Sequence, residues 1–160
     1  MRSSSIIQLI GAVGSPYTRK MLSLLRYRRI PHKITWGQPE LVLPTLGIEL
    51  PKPVLLPTFI LPDANGDLTA ATDSTPLIRR LEAMSPDRSV LPVDPALAFI
   101  DYLLEDFADE WVTKYMFHYR WHLQADADNA ATLLPLNFRV NLPPEQHEQM
   151  KNMIPERQIS

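Results

Sequence analysis

Proline fixes its own φ and has no N–H to give to a helix or sheet. Sixteen prolines against five glycines therefore divide this 160-residue chain before any other signal is read. They gather at 31, 39, 44, 51, 53, 57 and 62, and again at 135, 143, 144 and 155, where they mark loops and helix starts. Residues 5–10 read as a short buried strand from their length and β-branched content. Gly11-Ala12-Val13-Gly14 makes a tight loop, and Ser15-Pro16 opens a helix to about residue 29. Ser15 is its N-cap, Pro16 takes the first helical position, and Met21, Leu22, Leu24 and Leu25 form the buried face. Ile30-Pro31 stops that helix, and residues 32–36 form a second strand. Strand, helix and strand with short connections make a βαβ unit with a right-handed crossover.

Residues 37–55 form a long, proline-interrupted connection containing a short helix whose position the pattern does not fix. Strands at 58–61 and 68–72 flank Asp63-Ala64-Asn65-Gly66-Asp67. Asn-Gly between two apolar runs predicts a hairpin, because both residues tolerate positive φ. A third helix over 74–84 buries Leu77, Ile78 and Leu81, and Ser85-Pro86-Asp87-Arg88-Ser89 reads as a linker. Beyond it the pattern turns helical. From Asp94-Pro95 onward Leu97, Ile100, Leu104, Phe107, Trp111 and Tyr115 make one apolar stripe on a long helix, with Asp101, Glu105, Asp109 and Lys114 off it. A weaker pattern over 138–160 starts a further helix at Pro143-Pro144.

The chain has no cysteine, which removes disulfides, thiolate nucleophiles, zinc-thiolate sites and Fe–S clusters of its own. A net charge of −2 gives no electrostatic footprint for nucleic acid or an anionic membrane. No apolar run approaches the ~18–20 residues that span a bilayer. Met1 to Ser5 lead only into Ile6-Ile7-Gln8-Leu9-Ile10, too short and too polar for a signal-peptide core. A cytoplasmic protein with no nucleic-acid or membrane partner is the expectation.

The order β-α-β-β-β-α, then a linker and a long amphipathic helix, resembles the glutathione S-transferases. Three local matches carry the resemblance. Ser15-Pro16-Tyr17-Thr18-Arg19-Lys20 opens the first helix where glutaredoxins and cysteine-type transferases have Cys-Pro-Tyr-Cys, so Ser15 and Thr18 stand at the two cysteine positions. Leu56-Pro57 precedes the hairpin where the family keeps a cis proline, and the bond is expected to be cis here. Asp73-Ser74 opens the third helix and resembles the acid-serine pair that holds glutathione's γ-glutamyl end. Leu91-Pro92 and Asp94-Pro95 through Trp121 look like the opening of the family's helical domain. The resemblance covers about residues 5–122. It implies an α/β, thioredoxin-like glutathione-binding domain over 1–84 and an all-α domain over 92–160, shorter than the family's and so expected to be incomplete.

At these positions two readings stand side by side. A thiol titrates near ~8.5 unless its thiolate is stabilised, and a hydroxyl at a helix N-terminus can do that. Ser15 suits the role, Tyr17 is the other candidate, and a plain helix cap is the alternative for Ser15. Pro57 is either the cis proline that exposes the Leu56 main chain to the tripeptide or an ordinary loop proline. Asp73-Ser74 is either a carboxylate site at a helix start or a plain cap. His118 and His122, four apart with Glu110 or Asp126 nearby in sequence, are a weak metal motif, and no metal site is assigned. Asp126-Ala127-Asp128-Asn129 lacks the pattern of a calcium loop and reads as a polar turn. Arg26, Arg28, Arg29 and Lys33 read as a solvated basic face that complements the helix dipole.

The resemblance implies glutathione as co-substrate, conjugated to a small hydrophobic electrophile by a homodimer. The alternative is a non-catalytic transferase-like module that binds or assembles. A glutaredoxin-like reductase is disfavoured by the missing cysteines.

Overall fold

The computed structural model describes residues 6–85, 87–139 and 141–159. The readings of Met1 to Ser5, of Pro86 in the linker, of Val140 and of Ser160 lie outside the described residues. The chain divides into two compact units, one ending at Val90 and the other beginning at Leu91.

In the first unit, β1 (Ile7–Gly11), α1 (Pro16–Tyr27) and β2 (His32–Trp36) form the expected βαβ unit, with β1 and β2 parallel. The long connection holds α2 (Pro39–Val42), a 3-10 turn (Leu43–Leu46) and then open chain. β3 (Thr58–Pro62), β4 (Leu68–Ala71) and α3 (Ser74–Met84) complete it. The sheet order is β2-β1-β3-β4, with β3 antiparallel to both its neighbours. This is a thioredoxin-like arrangement followed by an all-helical unit.

Alternation along the strands explains why the apolar runs are nearly continuous. Ile7, Leu9, Phe59 and Leu61 pack with Met21, Leu22, Leu24 and Leu25 of α1 and Leu77, Ile78 and Leu81 of α3. Ile10 and Ile60 belong to a second cluster with Leu43, joined by Val42, Ile48, Leu56 and Ala70. Residues 39–48 resist a sequence reading because proline breaks their period, yet they supply the cover for that second cluster.

The hairpin differs in its chemistry from the expectation. Gly66 has positive φ, at 93°, and Asn65 does not. The Asp63 carboxylate holds the loop, accepting from Asn65 N at 2.8 Å and Asp67 N at 3.0 Å. The solvated basic face also needs correction, because Arg28 is buried. Its Nη1 lies 3.2 Å from Glu82 Oε1, and Nη2 donates to the carbonyls of Ser85 and of Asp87. The cause is local: α1 ends at Tyr27, so Arg28 turns inward toward α3 and the segment leaving it. Arg26 and Arg29 remain exposed.

The second unit contains α4 (Pro95–Phe107), a π turn (Ala108–Val112), α5 (Thr113–Trp121), α6 (Gln124–Leu133), a 3-10 turn (Leu134–Asn137) and α7 (Pro144–Ile159). Asp94 caps α4 by accepting from Leu97 N at 2.9 Å. The long helix is thus present, but the π turn winds five residues where a regular helix would place fewer and displaces the stripe beyond it. Trp121, Ala127 and Ala130, with Leu134 and Ile154, form the core of this unit, and no side chain of α4 is buried. The polar turn expected at residues 126–129 is instead helix, within α6. Ala127, Ala130 and Ala131 favour helix and bury one face, while Asp128 accepts from Gln124 Nε2 at 2.8 Å on the exposed side. His118 and His122 stack on each other with ring centroids 4.4 Å apart. Among the described residues no group of three or more His, Cys, Asp or Glu could hold a metal ion, and no helix is long and apolar enough to cross a membrane.

Candidate functional site at one end of the sheet

Strand register decides which loops meet. Ile10, next to the end of β1, pairs with Thr58, the first residue of β3. Phe59 pairs in turn with Ala71, the last residue of β4. The loop from β1 into α1, the Leu56–Pro57 step before β3, and the Asp73–Ser74 start of α3 therefore leave the sheet at the same end. Three stretches far apart in sequence are gathered there by hydrogen-bond register alone.

The α1 end is tightly built. Ser15 has extended backbone (φ −83°, ψ 119°), and its Oγ accepts from Thr18 N at 3.2 Å, so it is the N-cap. Ser15 N donates to Ala12 O at 3.1 Å and closes the loop. Thr18, at the second cysteine position, is buried, and its Oγ1 accepts from Ala12 N at 3.3 Å. Its Cγ2 would lie 2.5 Å from a Cβ on Gly11, so glycine is what lets strand and helix approach. Thr18 is thus a strut beneath the loop. Ser15 and Tyr17 are both half-buried.

The Leu56–Pro57 bond is cis, and so is Lys52–Pro53, which the sequence reading did not single out. The Leu56 side chain joins the second cluster of the sheet, and its main chain lies ahead of the ladder that begins at Thr58. Thr58 Oγ1 donates to Leu55 O at 2.7 Å and ties this step to the strand. At α3 the cap is Asp73, whose Oδ1 accepts from Thr75 N at 3.3 Å. Asp73 holds φ at 75°, a conformation costing a non-glycine residue about 1–3 kcal/mol. Ser74 is the first helical residue and is buried, and its Oγ accepts from Lys20 Nζ of α1 at 3.1 Å. Capping therefore falls to Asp73, and Ser74 serves a contact between helices. Sequence reasoning quoted Lys20 within a motif but gave it no role. Its only local signal is its place one turn before the buried Leu24 on α1, a hint too weak to name a partner 54 residues away.

Residues 9–89, about half of the chain, match the family profile described as the glutathione S-transferase N-terminal domain. The chain belongs to the glutathione S-transferase family. Solved transferase structures share its fold. One from Methylobacterium radiotolerans, in complex with glutathione sulfonate, is 19% identical, with a TM-score of 0.53 over 97% of this chain and 64% of that one. One from Rhodospirillum rubrum is 17% identical, with a TM-score of 0.55 over 95% and 63%. The Omega 1C transferase of Trametes versicolor is 14% identical, with a TM-score of 0.54 over 81% and 61%. The chain thus spans less than two thirds of the length of each of these transferases. No protein of curated function matches its sequence.

Proposed function

We propose that this transferase-family chain binds glutathione at the end of the sheet where α1, the Leu56–Pro57 step and α3 converge. The protein of which it is all or part conjugates the tripeptide to small hydrophobic electrophiles as a homodimer. The observation that carries the reading is the register, which gathers Ser15, Leu56 and Ser74 at one end of the sheet, in a chain whose residues 9–89 match the family profile. Glutathione's thiolate meets the N-terminus of α1. Capping by Ser15 is compatible with that role, because a hydroxyl accepts and donates at once. Its lone pair takes Thr18 N–H, and its own proton serves the thiolate, with the α1 dipole adding favourable potential. The Leu56 main chain pairs with the cysteinyl part, and Asp73 and Ser74 hold the γ-glutamyl end. A glutathione transferase homologue from Sulfitobacter, 13% identical, was solved with bound glutathione, which supports the choice of ligand.

The test is kinetic. Ser15→Ala raises the pH at which bound glutathione ionises, because the thiolate loses a stabilising donor. Its rate with an activated aryl halide at neutral pH falls ~10²–10³-fold while the glutathione Kd changes little. Tyr17→Phe is the paired control. If it abolishes the rate and Ser15→Ala does not, the activating hydroxyl is that of Tyr17. A wild-type protein that binds glutathione without turning over any electrophile supports the second reading, a binding or assembly module. That reading is favoured by the exposed apolar side chains of α4, including Leu97, Ile100 and Leu104.

A further inference from the structure

We infer that the electrophile accepted by this chain is an aromatic anion whose charged end is held by Arg19 and Arg26 in a cleft beside α1, an inference that rests on the conjugation reading above. The cleft has a volume of about 250 Å³ and is lined by Val13, Leu22, Ser23 and Trp36 besides the two arginines. Register puts it next to the proposed thiolate site. Trp36 ends β2 and pairs with Gly11, which ends β1, so it stands where the loop to Ser15 leaves the sheet. Ser15, Arg19, Ser23 and Arg26 then follow at spacings of four, four and three along one face of α1. Arg19 N donates to Ser15 O at 3.2 Å, which seats Arg19 one turn below the Ser15 cap.

The cleft joins two kinds of surface. Val13 and Trp36 are 50% and 49% exposed and offer apolar and aromatic area to a ring. Arg19 and Arg26 are exposed, and among the described residues no acidic side chain lines the cleft. The surrounding sequence agrees, since residues 1–39 contain no Asp or Glu. Arg26 sits in the last turn of α1, where a cation favours the helix. Arg19 lies near the other end, where the dipole disfavours a cation and no acidic residue of the first turn offsets it. Helix stability therefore accounts for Arg26 and not for Arg19. The Arg19 Nε donates to Val13 O at 2.9 Å, which fixes the guanidinium and leaves its two Nη groups for a bidentate anion. Four residues of helix rise about 6 Å, the span of a para-substituted benzene ring. A ring carboxylate or sulfonate can thus reach Arg19 while the opposite carbon meets the thiolate. For an aryl chloride the thiolate forms a C–S bond to that carbon, the C–Cl bond breaks, and chloride leaves with the electron pair.

Paired substrates test this. The rates with 4-chloro-3,5-dinitrobenzoate and with its carboxamide are measured as kcat/KM, each divided by the uncatalysed rate with glutathione, and the ratio of the two is the readout. Wild type is expected to favour the benzoate by roughly 5–10-fold, the scale of a bidentate pair in a cleft open to water, and the preference shrinks as salt is raised. Arg19→Gln/Arg26→Gln brings the ratio close to one, and Arg19→Gln alone gives most of that change. Arg29→Gln removes an exposed cation outside the cleft and keeps the wild-type ratio. A wild-type protein that conjugates both substrates without preference overturns the inference alone, and so does a double variant that keeps the preference. Equal loss on both substrates in the double variant marks a structural role and has the same consequence. An Arg29→Gln effect as large as the double variant's assigns the preference to net charge and overturns the inference too. A wild-type protein that conjugates neither substrate overturns the conjugation reading and this inference with it.

Discussion

Leu9, Leu25, Phe59 and Leu81 of the first unit are 0–1% exposed, whereas Leu97, Ile100 and Leu104 of α4 are 50–61% exposed. Both units are rich in apolar residues, so content does not separate them. What differs is how many surfaces each can close by itself. The sheet of the first unit is covered on both faces, by α1 and α3 on one side and by the segment from α2 to Ile48 on the other. Among the described residues of the second unit the buried apolar side chains are Trp121, three small alanines and Pro135, and the first helix contributes none of its own. A core of that kind stabilises α5, α6 and α7 against one another and leaves α4 with an apolar surface in excess of what a lone soluble chain usually shows.

The contrast breaks first at Phe59. Phe59→Ala is expected to destabilise the first unit by about 3–5 kcal/mol, the cost of emptying a close-packed site. Urea unfolding followed by a probe in that unit measures it, and a loss under about 1 kcal/mol would show its core to be no tighter than the surface of α4. Glu82→Gln is expected to cost about 3 kcal/mol, since it leaves the Arg28 guanidinium buried without a counter-charge. The same unfolding experiment reads it, and a neutral outcome would assign the stability of that corner to packing alone. Leu104→Ser is expected to change the stability of the isolated chain by less than about 0.5 kcal/mol, as for any exposed position. If the α4 face is covered in a homodimer, the same substitution weakens dimerisation measured by sedimentation. A monomeric wild-type protein at micromolar concentration removes that role from α4.

Local signals in the sequence reached far in the first unit and stopped early in the second. The helix over 74–84 is legible because an acid-serine start and three apolar residues at helical spacing lie within one short stretch. The strands are legible because each is a short apolar run between turn residues. Ser15, Leu56 and Ser74 could be named together only through the family resemblance, since nothing local in residues 15, 56 and 74 says that they converge. Lys20 and Arg28 were illegible for a related reason: each acts on residues more than fifty positions away, and a solvated lysine or arginine looks the same in sequence. The helix over residues 126–129 escaped because Asp126, Asp128 and Asn129 offset the alanines, and packing of Ala127 and Ala130 against Trp121 decides the outcome.

The Arg28 clamp sets an order of events during synthesis. Its partners, the Glu82 carboxylate and the carbonyls of Ser85 and Asp87, lie 54 to 59 residues downstream. The clamp cannot close on a nascent chain until the residue at 87 has left the ribosome, and by then α1 has been waiting through the making of three strands. Leu81 joins the core at nearly the same moment. The contacts that tie α1 to α3 and to the segment leaving it therefore form late, after all four strands have been made. A chain stalled before residue 87 emerges should lack the Arg28 contacts and their protection of the corner between α1 and α3, and release of the next few residues should restore both.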